Sequence, residues 1–148
     1  MSYATPADLI ARFGVQSLID LTDRQGVGAM DEEVLILALA DAEAVIDGYL
    51  AGRYTLPVST AAAPLLTGYA CDLARASLYT DLDLPDTHPV RLRVREARRF
   101  LELVGQGKLS LGGAPAPAPN GPVVQTIAGR PSGQRGQRGL GVTRPDHP

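Results

Sequence analysis

The chain has no tryptophan, two phenylalanines, one cysteine and two histidines in 148 residues. Each shortage excludes something. With so few aromatic side chains, a core has to be assembled from leucine, isoleucine, valine and alanine. That composition favours closely packed helices over a ligand-sized cavity. A lone Cys71 permits no intrachain disulfide and fits a reducing cytoplasm. No apolar run reaches the roughly 18 residues that mark a membrane span. The opening MSYATPADL lacks the basic-then-apolar layout of a signal peptide.

What is present divides unevenly. Residues 1–111 carry ten Lys and Arg against fifteen Asp and Glu, whereas residues 112–148 carry four arginines against one aspartate. The chain therefore reads as an acidic body, 1–111, followed by a basic arm, 112–148. Fifteen of the 37 arm residues are glycine or proline, too many to bury the apolar surface that offsets ordering entropy. Ala114–Pro119 alternates alanine and proline as a stiff spacer. Only Val123-Val124-Gln125-Thr126-Ile127 has strand character. The arm is either disordered or ordered against a partner.

The body shows helical periodicity throughout. Thr5-Pro6-Ala7-Asp8 is a helix start, with a capping threonine, proline at the first helical position and an acid three residues after the cap. That helix ends at Gly14. A second spans Val15 to Leu21, with Val15, Leu18 and Ile19 expected inward and Leu21 a further candidate. The longest begins near Asp31 and reads DEEVLILALADAEAVIDGYLAG before Arg53-Tyr54-Thr55-Leu56-Pro57 breaks away. Leu35, Leu39, Ala42, Ile46 and Tyr49 form its inward stripe, flanked by Ala38, Val45 and Leu50. This apolar face is too wide for one partner, so the helix is expected to be central and covered by the others. A fourth helix, rich in small residues, starts near Pro64 and runs to Tyr79 or Leu82. A fifth runs from Pro89 to Val104 with Val90, Val94, Ala97, Leu101 and Val104 inward. The fold class is all-α, a small bundle of about four to five helices with a long extended Gly/Pro-rich C-terminal arm.

No catalytic constellation emerges. Cys71 sits within a helix, and a buried structural thiol outweighs pairing with His88 or His147. Asp81, Asp83 and Asp86 lack the glycine and distal glutamate of a calcium loop and read as a solvated turn. Gly26-Val27-Gly28 lacks what a phosphate-binding loop needs. Neither a metal nor a cofactor is expected, and the chain does not read as an enzyme.

Arg91, Arg95 and Arg98 recur at i, i+4 and i+7, with Arg99 beside them and Arg93 further round. The plainest reading is a solvated face with ion pairs. The sharper ones are a salt-bridged subunit contact or a surface for phosphate. Arg130, Arg135 and Arg138, set among glycines, weakly resemble nucleic-acid-binding segments but lack interleaved aromatics for stacking.

The stretch Asp41–Val58, DAEAVIDGYLAGRYTLPV, resembles the signature of a Mu-like phage head–tail connector family. Tyr3-Ala4-Thr5 with Asp8-Leu9 and Arg12-Phe13-Gly14, then Leu18–Asp23, then Glu96–Leu101 with Gly107-Lys108 and Leu111, are similar to that family too. The resemblance covers about residues 2–112. It implies a non-enzymatic virion protein in the neck of a tailed phage, made in the host cytoplasm. It also implies a homo-oligomeric ring below the portal protein, expected to be dodecameric. Such a ring extends the DNA channel, without sequence-specific binding or membrane contact, and docks a tail or tail-terminator (stopper) protein. Within that frame Glu43 and Asp47 are expected to face Arg91, Arg95 and Arg98 of a neighbour. Arg53, Tyr54 and Leu56 are expected to cross between subunits. Val123, Val124, Ile127, Arg130, Arg135 and Arg138 are expected to dock the arm on a partner. The competing function is a nucleic-acid-binding packaging accessory protein, against which the acidic body argues.

Overall fold

Thr5 starts the first helix by a local exchange of hydrogen bonds. Its hydroxyl accepts the N–H of Asp8, the Asp8 carboxylate accepts the N–H of Thr5, and Pro6 occupies a position where no N–H is needed. The computed structural model describes residues 2–58, 63–79 and 83–112. Its elements are α1 (Pro6–Phe13), α2 (Val15–Thr22), α3 (Glu32–Leu50), α4 (Ala63–Leu78) and α5 (Pro89–Gly105). Among the described residues all regular structure is helical and there is no strand. The protein is all-α, as its periodicity predicts. Residues 113–148 lie outside the described residues, and with them Val123, Val124, Ile127, Arg130, Arg135 and Arg138.

α2, α3 and α5 also have local causes for their starts. Gly14 has φ 80°, a backbone state that suits glycine, and turns the chain from α1 into α2. Asp31 caps α3 by accepting the N–H groups of Glu33 and Val34, and Glu32 and Glu33 place negative charge at the positive end of the helix dipole. His88 caps α5 through Nδ1, which accepts the Val90 N–H, with Pro89 following. Thr22, a buried polar residue, donates its hydroxyl to the Leu18 carbonyl and accepts the Asp31 N–H, tying the end of α2 to the start of α3.

α3, α4 and α5 pack against one another, and α1 packs against α2, α3 and α4. Leu35, Ile46 and Leu50 of α3 meet Leu66, Ala70 and Ala74 of α4 and Ala97, Leu101 and Val104 of α5 in one core. Burying each large aliphatic side chain stabilises the fold by about 1.5–3 kcal/mol. The small residues of α4 act as the sequence suggests: Ala70, Cys71 and Ala74 are fully buried and let the axes approach. Where α5 ends against the end of α3, a Cβ on Gly105 would stand 2.8 Å from the Tyr49 carbonyl oxygen, so glycine is needed there for the crossing.

Three expectations need correction. Tyr49 is 37% exposed, and Leu50 takes the inward place assigned to it, because the stripe steps by four from Ala42 to Ile46 to Leu50. Val15 is 50% exposed, since Leu18 and Thr22 carry the buried side of that short helix. α3 is central but not covered all round: Ile36 and Leu37 are 52% and 66% exposed, with Ala40 and Ala44 also in water.

Candidate functional site

The basic row lies where the sequence puts it, on the outer side of α5. Arg91, Arg93, Arg95, Arg98 and Arg99 are all exposed. Arg91 pairs with Asp86 at 2.9 Å and Arg93 approaches Asp72 at 3.9 Å. Among the described residues, Arg95, Arg98 and Arg99 have no ion-pair partner. With Arg91 they rim a surface groove of about 790 Å³ that runs along α5 from Val90 to Glu102, beside the C-terminal end of α4. Val90, Val94 and Ala76 supply its apolar floor, and Asp86 and Glu102 lie at its margins. Burial holds the Asp72 carboxyl above its usual range, against the opposing pull of Arg93.

The acids expected to face this row are already engaged within the subunit. Glu43 accepts the Tyr3 N–H at 2.9 Å and also bonds the Ser2 hydroxyl. Asp47 accepts the Tyr3 phenol at 2.6 Å, while the same phenol oxygen accepts the Val58 N–H. Glu43 and Asp47 thus strap the N-terminal segment, and through it the chain beyond α3, onto the helix. Burial of the Tyr3 phenol and its hydrogen bond to Asp47 push its pKa up to about 12. Other acids of α3 remain in water: Glu33 and Asp41 are exposed and bracket the uncovered Leu37 and Ala40.

The Arg53–Pro57 segment turns back on its own body instead of leaving it. Tyr54 is 4% exposed, and its phenol oxygen accepts the Leu111 N–H at 3.1 Å. Leu56 packs against the core and Val58 is buried within it; the Leu56–Pro57 peptide is cis. Arg53 is half-buried beside Gly107, where a Cβ would run into its guanidinium. Tyr54 and Leu56 therefore serve the fold. Sequence alone did not separate a segment that departs from one that folds back over 57 residues to meet Leu111.

The groups considered for chemistry have structural employment. Cys71 is buried, and desolvation pushes its thiol up to about 11, away from the reactive thiolate. His88 is occupied as a helix cap. The Gly26–Gly28 loop is folded around Asp23, whose carboxylate accepts the Val27 and Gly28 N–H groups and is held below its usual range by them. Asp81 and His147 lie outside the described residues. Among the described residues no group of three His, Cys, Asp or Glu is placed to hold a metal ion. No helix there is long and apolar enough to cross a membrane.

The surface that sequence reasoning missed is the outer face of α3. Its signal is the near-continuous apolar character of residues 34–46, which by itself predicts burial on every side. Burial on three sides and exposure on the fourth give the same string.

Comparison with known proteins places this architecture in a lineage. The family described as Bacteriophage Mu, Gp36 matches residues 3–126. "Gene product J" of Escherichia phage Mu is 37% identical over 145 residues, covering 95% of this chain and 99% of that protein. "Mu-like prophage FluMu protein gp36" of Haemophilus influenzae is 36% identical over 110 residues, covering 74% and 75%. The match runs through all five helices and the strapped N-terminal segment, and the chain belongs to the Bacteriophage Mu, Gp36 family of phage proteins.

Proposed function

We propose that this phage protein is a head–tail connector subunit. It forms a ring below the portal, twelve-fold to match it, that extends the DNA channel and docks the tail or a tail-terminator. Its site is the virion neck, its role is structural with no cofactor, and DNA passes through without sequence-specific contact. The observation that carries this reading is a small helical body, in a family of phage products, whose central helix keeps an apolar face in water. A ring subunit needs two complementary flanks, because one contact repeated about an axis closes the ring. An enzyme would need an assembled reaction site, and the groups best suited to one, Cys71 and His88, are employed in the fold.

The test is assembly. Sedimentation of the purified protein with and without its portal should give a portal-dependent or spontaneous ring, and phage lacking the gene should yield DNA-filled heads separate from tails. A protein that stays monomeric with portal, from a gene whose loss leaves joined virions, overturns the reading. Arg95, Arg98 and Arg99, without an ion-pair partner among the described residues, favour one alternative, a packaging accessory protein that binds nucleic acid. It requires salt-sensitive DNA binding by the monomer. Asp86 and Glu102 beside the same arginines oppose it.

A further inference from the structure

We infer that the outer face of α3 in one copy seats in the arginine-rimmed groove of α4 and α5 in the next copy. The inference rests on the connector reading for a repeated self-contact, and it names the two surfaces that make it.

Three observations converge on a second copy of this chain as the occupant. The first is charge. Glu33 and Asp41 are exposed on α3, with Glu32 beside them, whereas Arg95, Arg98 and Arg99 are exposed around the groove. Neither set forms an ion pair within the subunit among the described residues, although Asp41 borders the groove and shares a shallow pocket with Arg98, Val94 and Ala76. The acids first expected in this role, Glu43 and Asp47, are bound to the N-terminal segment. The second is pattern. On α3 two acids bracket an apolar centre made by Leu37 and Ala40, and in the groove arginines rim an apolar floor made by Val90, Val94 and Ala76. Acid meets arginine where apolar meets apolar. The third is length. Eight helical steps separate Glu33 from Asp41, about 12 Å, and the groove rim from Arg91, itself paired with Asp86, to Arg98 spans seven, about 10 Å. The two rows can be in register along one helix–groove contact.

The contact is heterologous, since α3 of one copy meets α4 and α5 of another. Each copy therefore keeps one free surface of each kind, and the contact can repeat around an axis. Its charged rim makes it sensitive to salt, and its apolar centre excludes water from the middle.

Complementary charge reversal tests the pairing in the full-length protein. One variant carries Glu33→Lys and Asp41→Lys; the other carries Arg95→Glu and Arg98→Glu. Sedimentation velocity is run on each alone and on an equimolar mixture, with and without portal protein. Each variant alone should assemble at least ten-fold more weakly than the natural protein. The mixture should assemble again, because a lysine face meets a glutamate groove at one junction and the natural faces meet at the next. Restoration on mixing also excludes misfolding as the cause of the loss. Leu37→Asp should lose assembly and not be rescued by either variant, and Asp20→Lys on exposed α2 should change nothing. If the charge variants assemble like the natural protein, or the mixture assembles no better than its parts, the pairing is wrong while a natural ring leaves the connector reading intact. A natural protein that remains monomeric even with portal overturns that reading itself, and this inference with it.

Discussion

The two long helices that cross at Gly105, α3 and α5, bury similar inner stripes and treat water in opposite ways. α5 turns five arginines and Glu96 and Glu102 outward, all exposed, with Leu92 alone among its large apolar side chains in water. α3 turns Ile36, Leu37 and Ala40 outward between Glu33 and Asp41, and Ala44 just beyond. A single exposed leucine is ordinary, but a contiguous apolar strip rimmed by charge marks a contact surface. Amphipathic patterning alone is therefore enough to orient α5. α3 is apolar on nearly every side, and its orientation depends on which neighbours reach it.

The largest break of this comparison comes from its inner stripes. Ile46→Ala or Leu101→Ala should each cost about 2–5 kcal/mol of stability, read from chemical denaturation, because both side chains are fully buried. At the crossing, Gly105→Ala should cost about 1–3 kcal/mol, since the new Cβ meets backbone at Tyr49 that cannot swing aside. A smaller loss, about 1 kcal/mol, is expected from Tyr3→Phe, which removes the bond to Asp47. The same phenol makes stability depend on pH. Its folded pKa of about 12 lies above the ordinary 10, so the folded state favours the protonated form. The contribution is complete below pH 10 and is lost as pH rises towards 12. Tyrosinate absorbance should show a phenol titrating near 12 that disappears in the Tyr3→Phe variant, while Tyr69, which burial also raises, remains. Last, Leu37→Ser on the outer face of α3 should leave monomer stability within about 0.5 kcal/mol while weakening self-assembly. A large loss of monomer stability there would mean that the outer face already serves the subunit.

Much of the fold was legible because its causes are local. The Thr5 and Asp31 caps, the prolines at 6 and 89 and the glycine at 14 act within a few residues, so helix starts follow from short strings. The basic row on α5 was legible for the same reason, since helical spacing puts Arg91, Arg95 and Arg98 together. The acidic half of the candidate contact was not. Glu43 and Asp47 have the spacing of a free acidic face, but Tyr3, 40 and 44 residues earlier in the chain, occupies both. Tyr54 and Leu56 follow a glycine and precede a proline, which signals a departing segment, yet Leu111 draws that segment back.

By itself the sequence determined the five helices, most of their inward stripes, the buried role of Cys71 and the family. Periodicity, capping and motif are properties of neighbouring residues, and they survive in a linear string. Only the tertiary structure decided which surface residues are free. Strapping Glu43 and Asp47 to Tyr3, holding Tyr54 under Leu111 and leaving Leu37 in water depend on contacts between distant segments. Such contacts form only when α3, α4 and α5 close around a shared core, so no local pattern records them.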